Sequence, residues 1–298
     1  MMVDEYRGWR ASWPMVTATL LWAGAFVAGK MSVGEFPPVT LTFLRFLAAG
    51  AIMVPVAILS RAEWRFPKKD WPAVVFLGLT GMVGYHLFFF EALRHTTAVN
   101  SSMIAATSPL VTAFLAAVIG SERLGAKQIG AVVLAVLGVV VIVTDGQVHH
   151  LGSVSFNRGD VTMFGAVVSM AVYSVVSRRS GLSRSPVGLV TWTFLVCAVV
   201  TGFLSPLEGS VLEIGRAASA DAWWSVAYMA VFASCFGYFL QMFSIRRIGA
   251  ARTMVFINLI PVFSTILAVM ILGESVSAPK VAGLVVVISA VWLNSKAS

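Results

Sequence analysis

"NSSMIAATSPLVTAFLAAVIGSERLG", Asn100 to Gly125, sets a proline inside an apolar run long enough to cross a bilayer. "RTMVFINLIPVFSTILAVMILGESVS", Arg252 to Ser277, does the same. Pro109 stands thirteen residues before Glu122, and Pro261 stands thirteen before Glu274. A shift of 152 positions lays one stretch on the other and also pairs Trp71 with Trp223, Arg94 with Arg246 and Ala98 with Ala250. The register holds across three apolar spans without a gap, which is the mark of an internal repeat. Further upstream a shift of 148 lays Pro38 on Pro186 and Leu41 on Leu189.

The 298 residues are 58% hydrophobic and 11% charged, with a mean hydropathy of +0.89. That is too little charge to cover a water-soluble surface, and the composition predicts an integral membrane protein. Ten stretches are long enough to span as helices: Trp13–Ser32, Val39–Leu59, Trp71–Leu93, Ala98–Gly120, Ala126–Val143, Gly159–Arg178, Pro186–Leu204, Trp223–Ile245, Ala250–Leu272 and Ala278–Leu293. The longest polar connection, Asp145–Arg158, falls near the midpoint. The expected organisation is a five-helix repeat over 1–145, an extracytoplasmic linker over 146–158, and a second repeat over 159–298. Five is odd, so the second copy crosses upside down, an arrangement that places a binding site near the midplane between the halves.

Fifteen of the 21 Lys and Arg residues fall in the N-terminus, the even-numbered connections and the C-terminus, and five in the odd-numbered ones. The bias predicts cytoplasmic termini and accounts for the net charge of +8 without a nucleic-acid partner. Cys197 and Cys235 lie within apolar runs and suggest neither a disulfide nor a metal framework. No cleavable signal peptide is evident behind "MMVDEYRGWR". His86, His95, His149 and His150 form no metalloprotease motif, and no nucleophile elbow or paired intramembrane aspartates appear, so the chain does not read as an enzyme and no cofactor is expected.

Each proline in a helix interior removes a hydrogen bond, here from the carbonyls of Ala105 and Ile257, at a cost of about 3 kcal/mol unless a neighbour restores it. Thr107 and Asn258 stand beside the breaks as polar partners. A static kink is the plainer reading of one proline; two in symmetric positions predict paired hinges.

The ten spans in two copies, "RFLAAG" from Arg45, and the doubled "P…GE" endings ("GSERLGAKQIGAVVLAVLGVVVI" and "GESVSAPKVAGLVVVISAVWL") resemble the drug/metabolite transporter superfamily, EamA family. Within it the chain is similar to the YddG-type exporters of aromatic and neutral amino acids. The resemblance covers essentially the whole chain. It implies an all-α, basket-like membrane fold of ten helices in two inverted repeats, with a cavity lined by spans 1, 3, 4, 6, 8 and 9. It also implies a secondary transporter that moves amino acids out across the inner membrane by alternating access. Its partners would be a small-molecule cargo and the bilayer, with no obligate protein partner. A multidrug or other metabolite exporter is the alternative, with an intramembrane enzyme or a lipid scramblase more remote.

Spacings of three and four put Met82, His86, Phe89 and Leu93 on one face of the third span. The repeat carries that face onto Ser234, Tyr238, Gln241 and Ile245 of the eighth. Polar groups facing lipid are costly, so both stripes are expected to turn inward, although a satisfied interhelical hydrogen bond would also explain His86. The remaining cavity candidates are Trp22, Phe26, Tyr85, Asn100, Met103, Ser169, Tyr173 and Asn258. Their aromatic rings suit a flat side chain or an ammonium group. For Trp22 and Phe26, ordinary core or lipid contact is the competing reading. Arg45 and Glu91 fall near the outer boundary of their spans and are expected as interfacial anchors or ion-pair members.

Overall fold

The computed structural model describes residues 9–60, 65–119, 125–147, 157–182, 186–248, 253 and 256–297. Eight helices are long and apolar enough to cross a membrane. They are α1 (Trp9–Ser32), α2 (Pro38–Leu59), α3 (Lys68–His95), α4 (Ala98–Val118), α5 (Ala126–Val143), α6 (Arg158–Ser180), α7 (Pro186–Leu204) and α8 (Ala220–Arg247). Two shorter apolar helices follow, α9 (Phe256–Leu272) and α10 (Ala278–Leu293). No strand occurs among the described residues. The ninth expected span begins outside them, as do Glu122, Arg252 and the loop histidines.

Large apolar side chains cover the outside: Val133, Val136 and Leu137 on α5, Phe203 on α7, Phe236 and Phe239 on α8 are all exposed. In water such a surface would drive aggregation; against lipid chains it carries no penalty.

Packing joins positions that the sequence shifts relate. α2 lies along α7 and α5 along α10. Phe46 packs edge-on against Phe194, 148 positions later, with ring centroids 5.0 Å apart. α1 packs on α8, and in the same way α6 packs on α3. Close approach explains the glycines here. A Cβ at Gly81 would stand 2.3 Å from the ring of Tyr173, and one at Gly237 2.5 Å from the indole of Trp22.

Both α3 and α8 contain a π-helical turn, Gly78–Gly84 and Met229–Phe236. The register of 152 superposes the two turns to within a residue. Such turns widen the helix and concentrate at functional positions.

The prolines do not sit mid-helix. α4 is two helices, Ala98–Ala105 and Ser108–Val118, and Pro109 lies in the first turn of the second. α9 likewise passes from a 3₁₀ turn, Phe256–Leu272's first four residues (Phe256–Leu259), into Ile260–Leu267, whose first turn holds Pro261. There the missing N–H would have been unsatisfied in any case, so the proline is tolerated. Nor is Thr107 the group that serves the carbonyl of Ala105. Ser108 Oγ donates to it at 2.7 Å, while Thr107 Oγ1 donates to the carbonyl of Ile104 at 2.7 Å. Asn258 makes no hydrogen bond among the described residues.

One end of the bundle is tied together by carboxylates. Glu208 accepts from the backbone N–H groups of Val39 and Thr40 at 3.0 and 2.7 Å, and Glu274 from those of Ala98 and Val99 at 2.8 and 2.9 Å. Each carboxylate satisfies the orphan donors that open a helix and opposes its dipole. Glu35 accepts from the N–H and hydroxyl of Ser219, and Ser277 donates to Asp145. Glu91 meets Arg94, His95 and Arg158 at 3.4, 3.0 and 3.3 Å, the ion-pair role expected of it. These contacts put the segments around residues 35, 94, 145, 208 and 275 on one face.

Candidate functional site

The two predicted stripes are connected by an aromatic belt. Trp22 meets Tyr238 edge-on at 5.8 Å, Tyr238 meets Phe194 at 5.7 Å, and Phe194 meets Phe46 at 5.0 Å. Phe46 then meets His86 at 4.6 Å, and Tyr85 lies beside His86 and stacks on Phe89 at 5.9 Å. Phe89 closes the belt on Phe26 at 5.0 Å. The rings come from α1, α8, α7, α2 and α3, so both halves contribute. Edge-to-face pairs hold their geometry better than slippery aliphatic contacts, which gives the belt a defined shape.

His86 is buried, and its Nδ1 lies 2.8 Å from the carbonyl of Met82, one turn back. That bond satisfies one ring nitrogen within α3 and leaves Nε2 on the side away from its own helix. Trp22 donates its indole N–H to the carbonyl of Ala233 at 2.9 Å, inside the π turn of α8. The π turn supplies this bond: widening frees carbonyls that a regular helix would use internally. Tyr173 occupies the corresponding seat on α3, over Gly81, and Ser169 sits over Gly84.

Gln241 follows Tyr238 by one turn and is half-buried, as is Asn258 on α9; neither has a hydrogen bond among the described residues. Both are thus available to a ligand. Asn100 belongs to another group. Its side-chain amide reaches toward Asp160 at 3.4 Å, beside Thr96, whose hydroxyl donates to Asp160 at 2.6 Å. Lys30 caps the same corner through the carbonyls of Leu93 and Thr96, both at 2.7 Å. Met103 is fully enclosed in the apolar core with Phe26 and Phe89.

Arg45 departs from expectation. It is no interfacial anchor: only 5% of it is exposed, and it makes no ion pair among the described residues. Its Nε donates to Ser234 Oγ at 3.1 Å, one turn before Tyr238, and its guanidinium lies 5.3 Å from the ring of Phe46. Phe46 and Phe194 are not legible as site residues in the sequence either. An apolar residue in an apolar span carries no signal, except that the 148 shift lays one phenylalanine on the other.

The sequence profile of the EamA-like transporter family matches the chain twice, over residues 10–144 and 157–296. The uncharacterized transporter YyaM of Bacillus subtilis is 31% identical over 94% of this chain and 92% of its own length. The aromatic amino acid exporter YddG of Ancylobacter novellus is 26% identical, with 85% of each chain covered. A solved protein structure superposes with a TM-score of 0.66 at 24% identity, covering 95% of this chain and 96% of the other, and so shares the fold.

Proposed function

Starting from the EamA-like transporter family, to which the chain belongs, we propose that it exports aromatic and other neutral amino acids by alternating access. That it is an integral membrane transporter follows from the family and from its long apolar helices. The cargo is supported by one observation above the rest. A belt of rings from both halves joins the two stripes, and half-buried Gln241, without a hydrogen bond among the described residues, stands one turn beyond Tyr238. Flat or apolar side chains suit the rings, and the amide suits the cargo's backbone groups.

In this reading the chain crosses the membrane ten times, as repeats over 1–145 and 159–298 joined by an extracytoplasmic linker. The paired π turns, the symmetric packing of Phe46 on Phe194 and the double family match support it. The carboxylate-tied face is the extracytoplasmic one, and both termini lie in the cytoplasm. This orientation is supported by the bias of Lys and Arg toward the opposite connections. Pro109 and Pro261 mark the breaks about which α4 and α9 flex during turnover. Trp22, Phe26, Tyr85, His86, Phe89, Ser169, Tyr173 and Tyr238 wall the cargo, and Gln241 and Asn258 bind it. Asn100 and Met103, expected at the cargo, lie on the first segment of α4, where Asn100 reaches toward Asp160 and Met103 packs in the apolar core.

Competition uptake into proteoliposomes tests the cargo. Gln241→Ala is expected to weaken uptake of every amino acid alike, by about tenfold, the worth of a hydrogen bond to a charged group. Trp22→Ala is expected to penalise phenylalanine more than threonine. If both variants fold and transport the whole series as the parent does, the cavity is elsewhere.

A further inference from the structure

Arg45 brings a charge to the belt, and no carboxylate among the described residues pairs with it. Arg45 presents five N–H donors from α2 toward the π turn of α8. Ser234 Oγ accepts one, and the thioether of Met229, 3.9 Å away, is a weak acceptor for a second. The ionisable groups within electrostatic reach are Tyr238, Tyr85, Cys197, Cys235 and His86, none of which carries a negative charge in its ordinary form at neutral pH. No described carboxylate is among them. A guanidinium held away from water without an anion is costly, and a lone buried cation is retained where a charged ligand completes it.

We propose that Arg45 is the anchor for a carboxylate on the cargo, and that the site selects monocarboxylates. The planar fork matches the two oxygens of a carboxylate. Met229 Sδ lies 3.9 Å from Arg45 Nη1, and its unbranched side chain would yield readily to a carboxylate there. The position that the 148 shift pairs with Arg45 is Thr193, whose hydroxyl is already bonded to the carbonyl of Val190 at 2.9 Å. Among the described residues the central site therefore has one cation, not two. It neutralises one negative charge, and a dicarboxylate or phosphate ester would leave an excess anion between Phe46 and Phe194. The rings that contact Arg45 or its neighbours set the rest of the cargo: an apolar or aromatic body attached close to the carboxylate.

Taking that carboxylate to be an amino acid's rests on the proposed function; the anchor itself does not. The test measures affinity by intrinsic fluorescence, with purified full-length protein, for two matched pairs. These are phenylalanine against phenylalaninamide, and 3-phenylpropionate against 3-phenylpropanamide. In the parent each acid is expected to bind at least about tenfold tighter than its amide. In Arg45→Gln that preference is expected to fall toward unity while the amides bind as before. An acid preference unchanged in a folded Arg45→Gln overturns the proposal. So does an equal loss of acids and amides, which would mean that Arg45 only holds α2 against α8. Arg45→Lys keeps the charge without the fork and is expected to retain part of the preference. If neither variant folds, the parent decides: a preference near unity for both pairs overturns the anchor. Binding of 3-phenylpropionate with the expected preference, together with no transport of any amino acid, would remove the amino-acid reading and leave the anchor standing.

Discussion

α4 and α9 break at the same place and are mended differently. In both, a proline enters the first turn of a second helical segment. In α4 the hydroxyls of Thr107 and Ser108 take up the carbonyls of Ile104 and Ala105, and Thr112 Oγ1 bonds the carbonyl of Ser108 at 2.7 Å. The 152 shift puts Leu259, Ile260 and Ser264 at those three positions in α9. Two of them have no hydroxyl, and the third is buried with its hydroxyl unpartnered, as is that of Thr265. α9 also changes helix type twice, from 3₁₀ through α to a π turn at Ala268–Leu272. Equivalent breaks are thus stiffened in one half and left soft in the other. Segments with fewer satisfied backbone groups open at lower free energy, so α9 is the helix expected to bend first.

The largest effect is expected where the two broken helices are fastened to each other. Glu274 follows α9, and its carboxylate holds the N–H groups of Ala98 and Val99 that open α4. Glu274→Ala removes two charge-assisted bonds from a helix start and is expected to cost about 3 kcal/mol. Thermal unfolding of the purified protein in detergent reads this out. A loss below about 1 kcal/mol would mean that α4 is held by packing alone.

A smaller effect separates the two breaks. Ser108→Ala strands the carbonyl of Ala105 and is expected to cost about 1 kcal/mol. The reverse exchange, Ile260→Ser, offers α9 the hydroxyl that α4 already has. It is expected to slow turnover in proteoliposomes more than it changes cargo affinity, because it stiffens the softer hinge. Faster or unaltered transport in Ile260→Ser would show that α9 does not limit the motion.

The contrast also shows which features the sequence carried. Prolines and glutamates thirteen residues apart announced the repeat, and spacings of three and four announced the stripes on α3 and α8. Those signals are local and periodic. The π turns have no such code: Gly78–Gly84 holds three glycines at steps of three, but Met229–Phe236 has no glycine at all. An interior proline would leave Thr107 as the polar group beside the break, whereas a proline in the first turn of a second helix sets Ser108 against the carbonyl of Ala105. The surroundings of Arg45 are hidden from the sequence for another reason. Its place along the span fixes depth only roughly, whereas its environment depends on Ser234 and Met229, almost 190 residues away. Asn100 fits neither pattern, since its partner Asp160 begins a helix of the other half.

The smallest effect lies at an exposed tie. Glu35, in the connection between α1 and α2, accepts from the N–H and hydroxyl of Ser219 just ahead of α8. The backbone N–H first, and the hydroxyl second, hold its pKa below the ordinary carboxylate value. A carboxylate so depressed contributes while it is ionised. The tie is therefore complete above the unfolded pKa of about 4.3 and is lost as pH falls through the lower folded value. From pH 5 to 8 nothing should change. Hydrogen-exchange protection of the Ser219 amide, corrected for intrinsic exchange, is expected to be constant across that range and to drop toward pH 3. Glu35→Gln should show reduced protection with no pH dependence of its own. Equal protection at pH 3 and pH 7 in the parent would mean that ionisation of Glu35 has no part in holding the α1–α2 connection against α8.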